Sequence, residues 1–265
     1  MKKSILVLMS IAFFAKGYGQ DNNVKFNLAP LIWGEIRLGY ERVVKENQTA
    51  QLNIGIMIPR GLPTALYDPS EVEDYGGSVN IQNKITGFSV SGEYRFYTSS
   101  SKDALRGFYF APYLKWNKYK IATSTGFEYE ASLSEYLDLT PEQQAKADYN
   151  GSGYDIDVTA NFDAGFRQLG IGAMIGYQWL ISDRVSIDWN FFGLGIDHTV
   201  FNVDISSEDI DVDYTKWGDE IKEEVKDFTI VGDRIEVEVE SDKVKAKAPF
   251  LLPNLRMGLT IGVAF

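Results

Sequence analysis

The chain of 265 residues has no cysteine and one histidine. Without thiols it can form neither a disulfide framework nor a thiolate metal site, although an oxidising compartment stays open to it. Basic residues are outnumbered, with 26 Lys and Arg against 37 Asp and Glu and a net charge of -11. That balance argues against a nucleic-acid partner, because phosphate backbones are held by clustered cations. Past the first fifteen residues no apolar run approaches the ~20 residues that a membrane-spanning helix needs. There is no Gly-rich phosphate loop, no cluster of metal ligands and no acid pair with catalytic spacing. The glycines of "GLGI" and "LGIGAMIG" lie in strand-like segments, where they fit a tight interior rather than a phosphate cradle. No cofactor is expected.

What is present begins with "MKKSILVLMSIAFFAKGYGQ". Lys2 and Lys3, the apolar stretch from Ile5 to Ala15, and small Gly17 and Gly19 before Gln20 have the three-part grammar of an export signal. Residues 1–19 are expected to be removed, leaving 20–265 as one exported domain.

Beyond it, eight segments alternate apolar and polar residues with period two, the signature of strands. They are "VKFNLAPLIW", "EIRLGYERVV", "QLNIGIMIPR", "TGFSVSGEYRFYT", "GFYFAPYLKWNKY", "RQLGIGAMIGYQWLI", "RVSIDWNFF" and "NLRMGLTIGVAF". Short links ("KENQT", "SSSKDALR", "ISD") alternate with long acidic ones at about 61–84, 123–164 and 204–250. This predicts an all-β fold, an eight-stranded antiparallel up-and-down transmembrane β-barrel with long extracellular loops and its short turns in the periplasm. A soluble barrel would alternate too. The composition of the non-apolar face decides between them: Gln168, Gly170, Gly172, Met174, Gly176 and Gln178 carry no charge, as suits a narrow lumen rather than a wetted surface. Leu169, Ile171, Ala173, Ile175, Tyr177 and Trp179 then meet lipid.

Parity assigns Glu35, Arg37, Glu41, Glu93, Arg95, Lys115, Asp188 and Arg256 to the inside, where acids and bases can neutralise one another. Left in lipid, such a group costs on the order of 2 to 4 kcal/mol at the midplane. The pattern of export signal, eight amphipathic strands, long loops on one side and an aromatic last strand resembles the small outer-membrane barrels of Gram-negative bacteria, such as the OmpA transmembrane domain and OmpX. The stretches "FNLAPLIWGEIRLGYERVV" and "QLNIGIMI" are closer to a domain-of-unknown-function family of such barrels. The resemblance implies location in the outer membrane, with its lipid and lipopolysaccharide as partners. It also implies that Met257, Leu259, Ile261, Val263 and Phe265 form the signal read by the barrel assembly machinery. Unlike in OmpA, no periplasmic peptidoglycan-binding domain is expected after the last strand.

The long links have features of their own. Thr140, Pro141 and Gln143 form a capping pattern that predicts a short helix. "RIEVEVESDKVKAKA" predicts a hairpin about Ser241-Asp242, with Glu240, Glu238 and Glu236 opposite Lys243, Lys245 and Lys247, or else an extension of the last two strands. Asp209, Asp211, Asp213 and Glu220 have EF-hand-like spacing, but Tyr214 occupies the position that requires Gly, so a solvated acidic loop is the better account. His198, beside Asp197, is the one residue on which a rim-located lipid-modifying enzyme or protease could be built, and no nucleophile pattern accompanies it. The expected role is therefore structural or interactive and not enzymatic, with a narrow channel or small-molecule transporter as the alternative.

Overall fold

Strict alternation of apolar and polar residues satisfies a strand with two different environments on its two faces, and that is where the strands form. The computed structural model describes residues 21–61, 82–98, 105–133, 137, 141–145, 147–207, 235–241 and 243–265. Its strands are β1 (Asn22–Asn27), β2 (Glu35–Lys45), β3 (Gln48–Arg60), β4 (Gln82–Tyr97), β5 (Gly107–Ala131), β6 (Asp148–Tyr149), β7 (Tyr154–Ile181), β8 (Val185–Ser207), β9 (Glu236–Val239), β10 (Lys243–Leu255) and β11 (Gly258–Ala264). All pairings are antiparallel.

The sheet closes on itself. Pairing runs from β1 through β2, β3, β4 and β5 to β7 and β8. Both β10 and β11 then pair with β8, and β11 returns to β1 with Val24 opposite Val263. The two are parts of one strand interrupted at Arg256-Met257, where the Arg256 N–H donates to the Gly193 carbonyl at 2.9 Å. The result is a ring of eight strands, with β6 and β9 as short additions outside it.

Three features differ from the sequence-based expectation. "VKFNLAPLIW" is not one strand: after Asn27 the chain turns into a 3-10 helix, Ala29–Trp33, begun by Pro30 and ended by Gly34 in the left-handed region (φ 75°). Second, β5, β7 and β8 run to 25, 28 and 23 residues, so much of the stretch expected as a loop at 123–164 is strand. The β5–β7 ladder continues from Lys118↔Arg167 to Ala131↔Tyr154 without a break. At its start the outward positions hold Lys118 and Lys120 and the inward ones Tyr119 and Ile121, so the apolar-outside pattern ends while the backbone bonds continue. Third, two irregularities change parity. Phe191 is an extra residue in β8, since Ile175 pairs with Phe192 and Gly176 with Asn190, and β3 shifts against β4 between Met57 and Arg60. Beyond each one, every side chain changes face.

Outside the ring, Pro141–Gln144 forms the short helix. The β9–β10 hairpin has the expected register, with Lys245 opposite Glu238 and Lys247 opposite Glu236, while β10 also extends along β8 as far as Ser206. Residues 1–20 and the acidic stretch with Asp209, Asp211, Asp213 and Glu220 lie outside the described residues. Among the described residues no helix is long and apolar enough to cross a membrane.

The two faces of the ring are chemically opposite. Outward point Ile36, Leu38 and Tyr40 on β2, Leu52, Ile54 and Ile56 on β3, Phe108, Phe110, Leu114 and Trp116 on β5, and Leu169, Ile171, Tyr177 and Trp179 on β7, all exposed. Leu255, Met257, Leu259, Ile261 and Val263 continue that face on the last strand. Inward lie Lys25, Glu41, Thr49, Asn53, Arg95, Gln178, Ser186 and Asp188, all buried. This is a protein with its polar residues inside and its apolar residues outside, the reverse of the usual distribution.

Candidate functional site

The interior is built from one inward residue in two on each strand, and it falls into two levels. Near the end that carries the short turns, Lys25 Nζ lies 2.7 Å from Glu41 Oε2 and 2.8 Å from Asp188 Oδ2, and donates to Gln178 Oε1 at 2.6 Å and Gln51 Oε1 at 3.0 Å. Arg95 reaches Asp188 Oδ2 at 2.6 Å and Glu93 Oε2 at 2.7 Å, and its guanidinium stacks 4.4 Å from the Tyr109 ring centre. The Tyr109 hydroxyl donates to Asp188 Oδ1 at 2.7 Å, and Tyr97 and Thr49 donate to Glu41 Oε1 at 2.8 and 2.6 Å. Gln178 caps the level by donating to the Leu105 carbonyl at 2.9 Å. Buried charges are tolerated here because each one meets an opposite charge and further hydrogen bonds.

The level nearer the other end is more open. Arg37 binds Glu35 through two bonds of 3.0 Å, and Ser89 and Tyr119 also donate to Glu35, the latter at 3.1 Å. Lys115 Nζ meets Asp197 Oδ2 at 2.8 Å, and Asn254 donates to Asp197 at 3.1 Å. Arg256 ties the levels together: it contacts Glu93 Oε1 at 2.5 Å and lies 4.8 Å from the Tyr113 ring centre. A cavity of about 530 Å³ occupies this level, with Arg37, Arg60, Lys115 and Arg256 in its wall.

Glycine makes the crowding possible. A Cβ on Gly170 would stand 2.0 Å from Asp197 Oδ1, and one on Gly172 only 2.3 Å from the Leu194 carbonyl oxygen. In a ring this narrow two facing side chains cannot both be large.

All eight residues assigned to the inside by parity (Glu35, Arg37, Glu41, Glu93, Arg95, Lys115, Asp188 and Arg256) lie there, joined through ion pairs and hydrogen bonds in the two levels. Lys25, Asp197 and Arg60 were missed. Lys25 sits between outward Val24 and Phe26, an alternation that would have revealed it had the first segment not been broken at Pro30. Asp197 and Arg60 lie beyond the two irregularities, where simple parity assigns the wrong face. His198 is the converse case. It is exposed on the outer face, level with Leu169 and Leu251, while neighbouring Asp197 points inward to Lys115. Met257, Leu259, Ile261 and Val263 share the outer face, and the backbone of Phe265 pairs with Asn22 through bonds of 2.9 and 3.1 Å. Among the described residues no group of His, Cys, Asp and Glu is placed to hold a metal ion.

Comparison with known proteins adds three findings. The crystal structure of a major outer membrane protein from Thermus thermophilus superposes on 92% of this chain and 98% of its own length, with a TM-score of 0.38 and 13% identity. No curated protein matches the chain. The family described as "Protein of unknown function (DUF3575)" matches residues 4–204, well over half of the sequence, and the chain therefore belongs to the DUF3575 family.

Proposed function

We propose that the chain is an integral outer-membrane protein, an eight-stranded up-and-down β-barrel of the OmpA and OmpX type with a structural or surface-interaction role. Its short turns lie in the periplasm and its long acidic connections are presented outside. The observation that carries this reading is the outward belt. From Leu169 to Ile181 on β7, Phe88 to Phe96 on β4 and Phe108 to Trp116 on β5, no charged side chain points outward. The first of these runs covers roughly 30 Å of height for a strand tilted by ~40°, the scale of a hydrocarbon core. In water so large a continuous apolar surface would drive aggregation. In lipid it is the stable arrangement, and the closed ring leaves no open strand edge there. Aromatic pairs at the short-turn end of the belt, Tyr94 with Phe96 at 5.1 Å and Tyr177 with Trp179 at 4.7 Å, suit an interfacial girdle.

The interior supports a closed barrel rather than a channel. Lys25, Glu41, Thr49, Arg95, Tyr109, Gln178 and Ser186, from seven strands of the ring, are each under 2% exposed, so the short-turn end is filled from wall to wall. His198 faces outward among leucines, which supports a non-enzymatic reading. Lipid and lipopolysaccharide are the partners that the belt would meet, and Met257, Leu259, Ile261, Val263 and Phe265 would serve the barrel assembly machinery as its recognition strand.

The test is membrane fractionation with a heat-modifiability gel, followed by planar-bilayer recording. Outer-membrane recovery, a mobility shift on boiling and no defined conductance steps are expected. A soluble protein without a mobility shift would end the membrane reading, and regular steps would replace the closed barrel by a channel.

A further inference from the structure

We infer that the interior cavity is a binding site for a small organic anion with an apolar body, such as an aryl or short alkyl carboxylate. Among the described residues, five acids inside the ring (Glu35, Glu41, Glu93, Asp188, Asp197) are matched by five bases (Lys25, Arg37, Arg95, Lys115, Arg256), each in an ion pair. Arg60 is a sixth base in the cavity wall and makes no ion pair among the described residues. It is turned inward by the register shift between Met57 and Arg60.

Hydrogen bonding points the same way. Arg60 Nε and Arg256 Nη1 are both buried, and neither has a hydrogen-bond partner. A buried guanidinium nitrogen without an acceptor is costly, and an anion that accepts from it recovers that cost. Glu35, the one carboxylate among the lining residues described, cannot do so because Arg37, Ser89 and Tyr119 already occupy it. The wall also has an apolar part, Met57, Ile85, Ile121 and Phe166, beside the polar Ser89, Ser91, Asn117 and Asn254. A volume of about 530 Å³ falls within the usual range for small-molecule sites. An apolar stretch of wall in a cavity that also holds Arg37, Arg60, Lys115 and Arg256 fits a ligand that has a carboxylate at one end and a ring or chain at the other. The inference stands on the interior alone and does not depend on which membrane, if any, surrounds the ring.

Isothermal titration of the full mature chain, folded in a non-ionic detergent, with 1-naphthoate tests it, with protein-free detergent as the blank. Saturable one-to-one binding is expected. Arg60→Gln should weaken it at least tenfold, Arg60→Lys less, and Lys118→Gln on the outer face not at all. The uncharged 1-naphthamide should bind the unaltered protein at least tenfold more weakly than the acid. That arm needs no variant, so it decides even if Arg60→Gln fails to show the mobility shift of a folded ring. Absence of saturable binding, or equal affinity for acid and amide, would overturn the inference.

Discussion

Lys25 on β1 and Asp188 on β8 meet at 2.8 Å across β11, the strand that lies between theirs in the ring. The pair therefore braces the closure from inside, and Lys25 also satisfies Glu41 at 2.7 Å. Lys25→Met should leave both carboxylates short of a partner in a buried setting and cost about 3 to 5 kcal/mol. Urea unfolding of the protein in lipid vesicles measures this. A loss below about 1 kcal/mol would mean that Arg95 alone neutralises the level.

Glycine substitutions separate crowding from flexibility. Gly172→Ala places a Cβ 2.3 Å from a backbone carbonyl that cannot rotate away, so it should impair formation of the heat-modifiable ring. Gly92→Ala, with nothing within 4 Å of its new Cβ, should fold as the parent does. If the two behaved alike, the packing argument would be wrong.

Lys118 and Arg167 are directly opposite each other on the outer face, both exposed, and neither forms an ion pair among the described residues. Like charges in that position oppose pairing. Lys118→Glu should turn the contact attractive and raise unfolding stability by up to about 1 kcal/mol. An unchanged or lowered midpoint would show that solvent or salt already screens the pair.

The β9–β10 hairpin should depend on pH in a defined sense. The Lys245 ammonium donates to Glu240 and holds its carboxyl below the ordinary 4.5, while the same bond raises Lys245 above its ordinary 10.5. A lowered acid contributes fully above its unfolded value, and the contribution is lost as pH falls through the folded one. For a raised base it is full below the unfolded value and lost as pH rises through the folded one. The cross-strand contact of Val239 with Val244 should thus be constant between those limits and weaken outside them, as followed by NMR. Glu240→Gln should abolish the acid limb.

How much of this was legible in the sequence depends on where the two faces of a strand differ. From Leu169 to Ile181 the contrast is complete, and alternation located the strand, its direction of facing and the inner residues Gln168 to Gln178. Beyond Trp116 the outward positions turn to Lys118 and Lys120, so the strand continued where its apolar-outside pattern had ended. The extra Phe191 was invisible for a different reason. It lies between Trp189 and Phe192 in an aromatic run, and its ring packs outward 5.5 Å from that of Trp189 and 6.2 Å from that of Phe108. A slip of one residue among side chains of the same kind leaves no trace in composition, yet it sends Asp197 in and His198 out.

Closure of β1 against β11 also has a temporal side. The pairing of Val24 with Val263 spans almost the whole described chain, so the loop-closure entropy of that contact is the largest in the ring. Contacts of such sequence separation form slowly. Until that seam is made, β1 and β11 each present an unpaired ladder, and the apolar belt is attached to an open, sticky sheet. The molecule thus has a long interval between synthesis and safety, in which its survival depends on whatever holds those two edges apart from other chains.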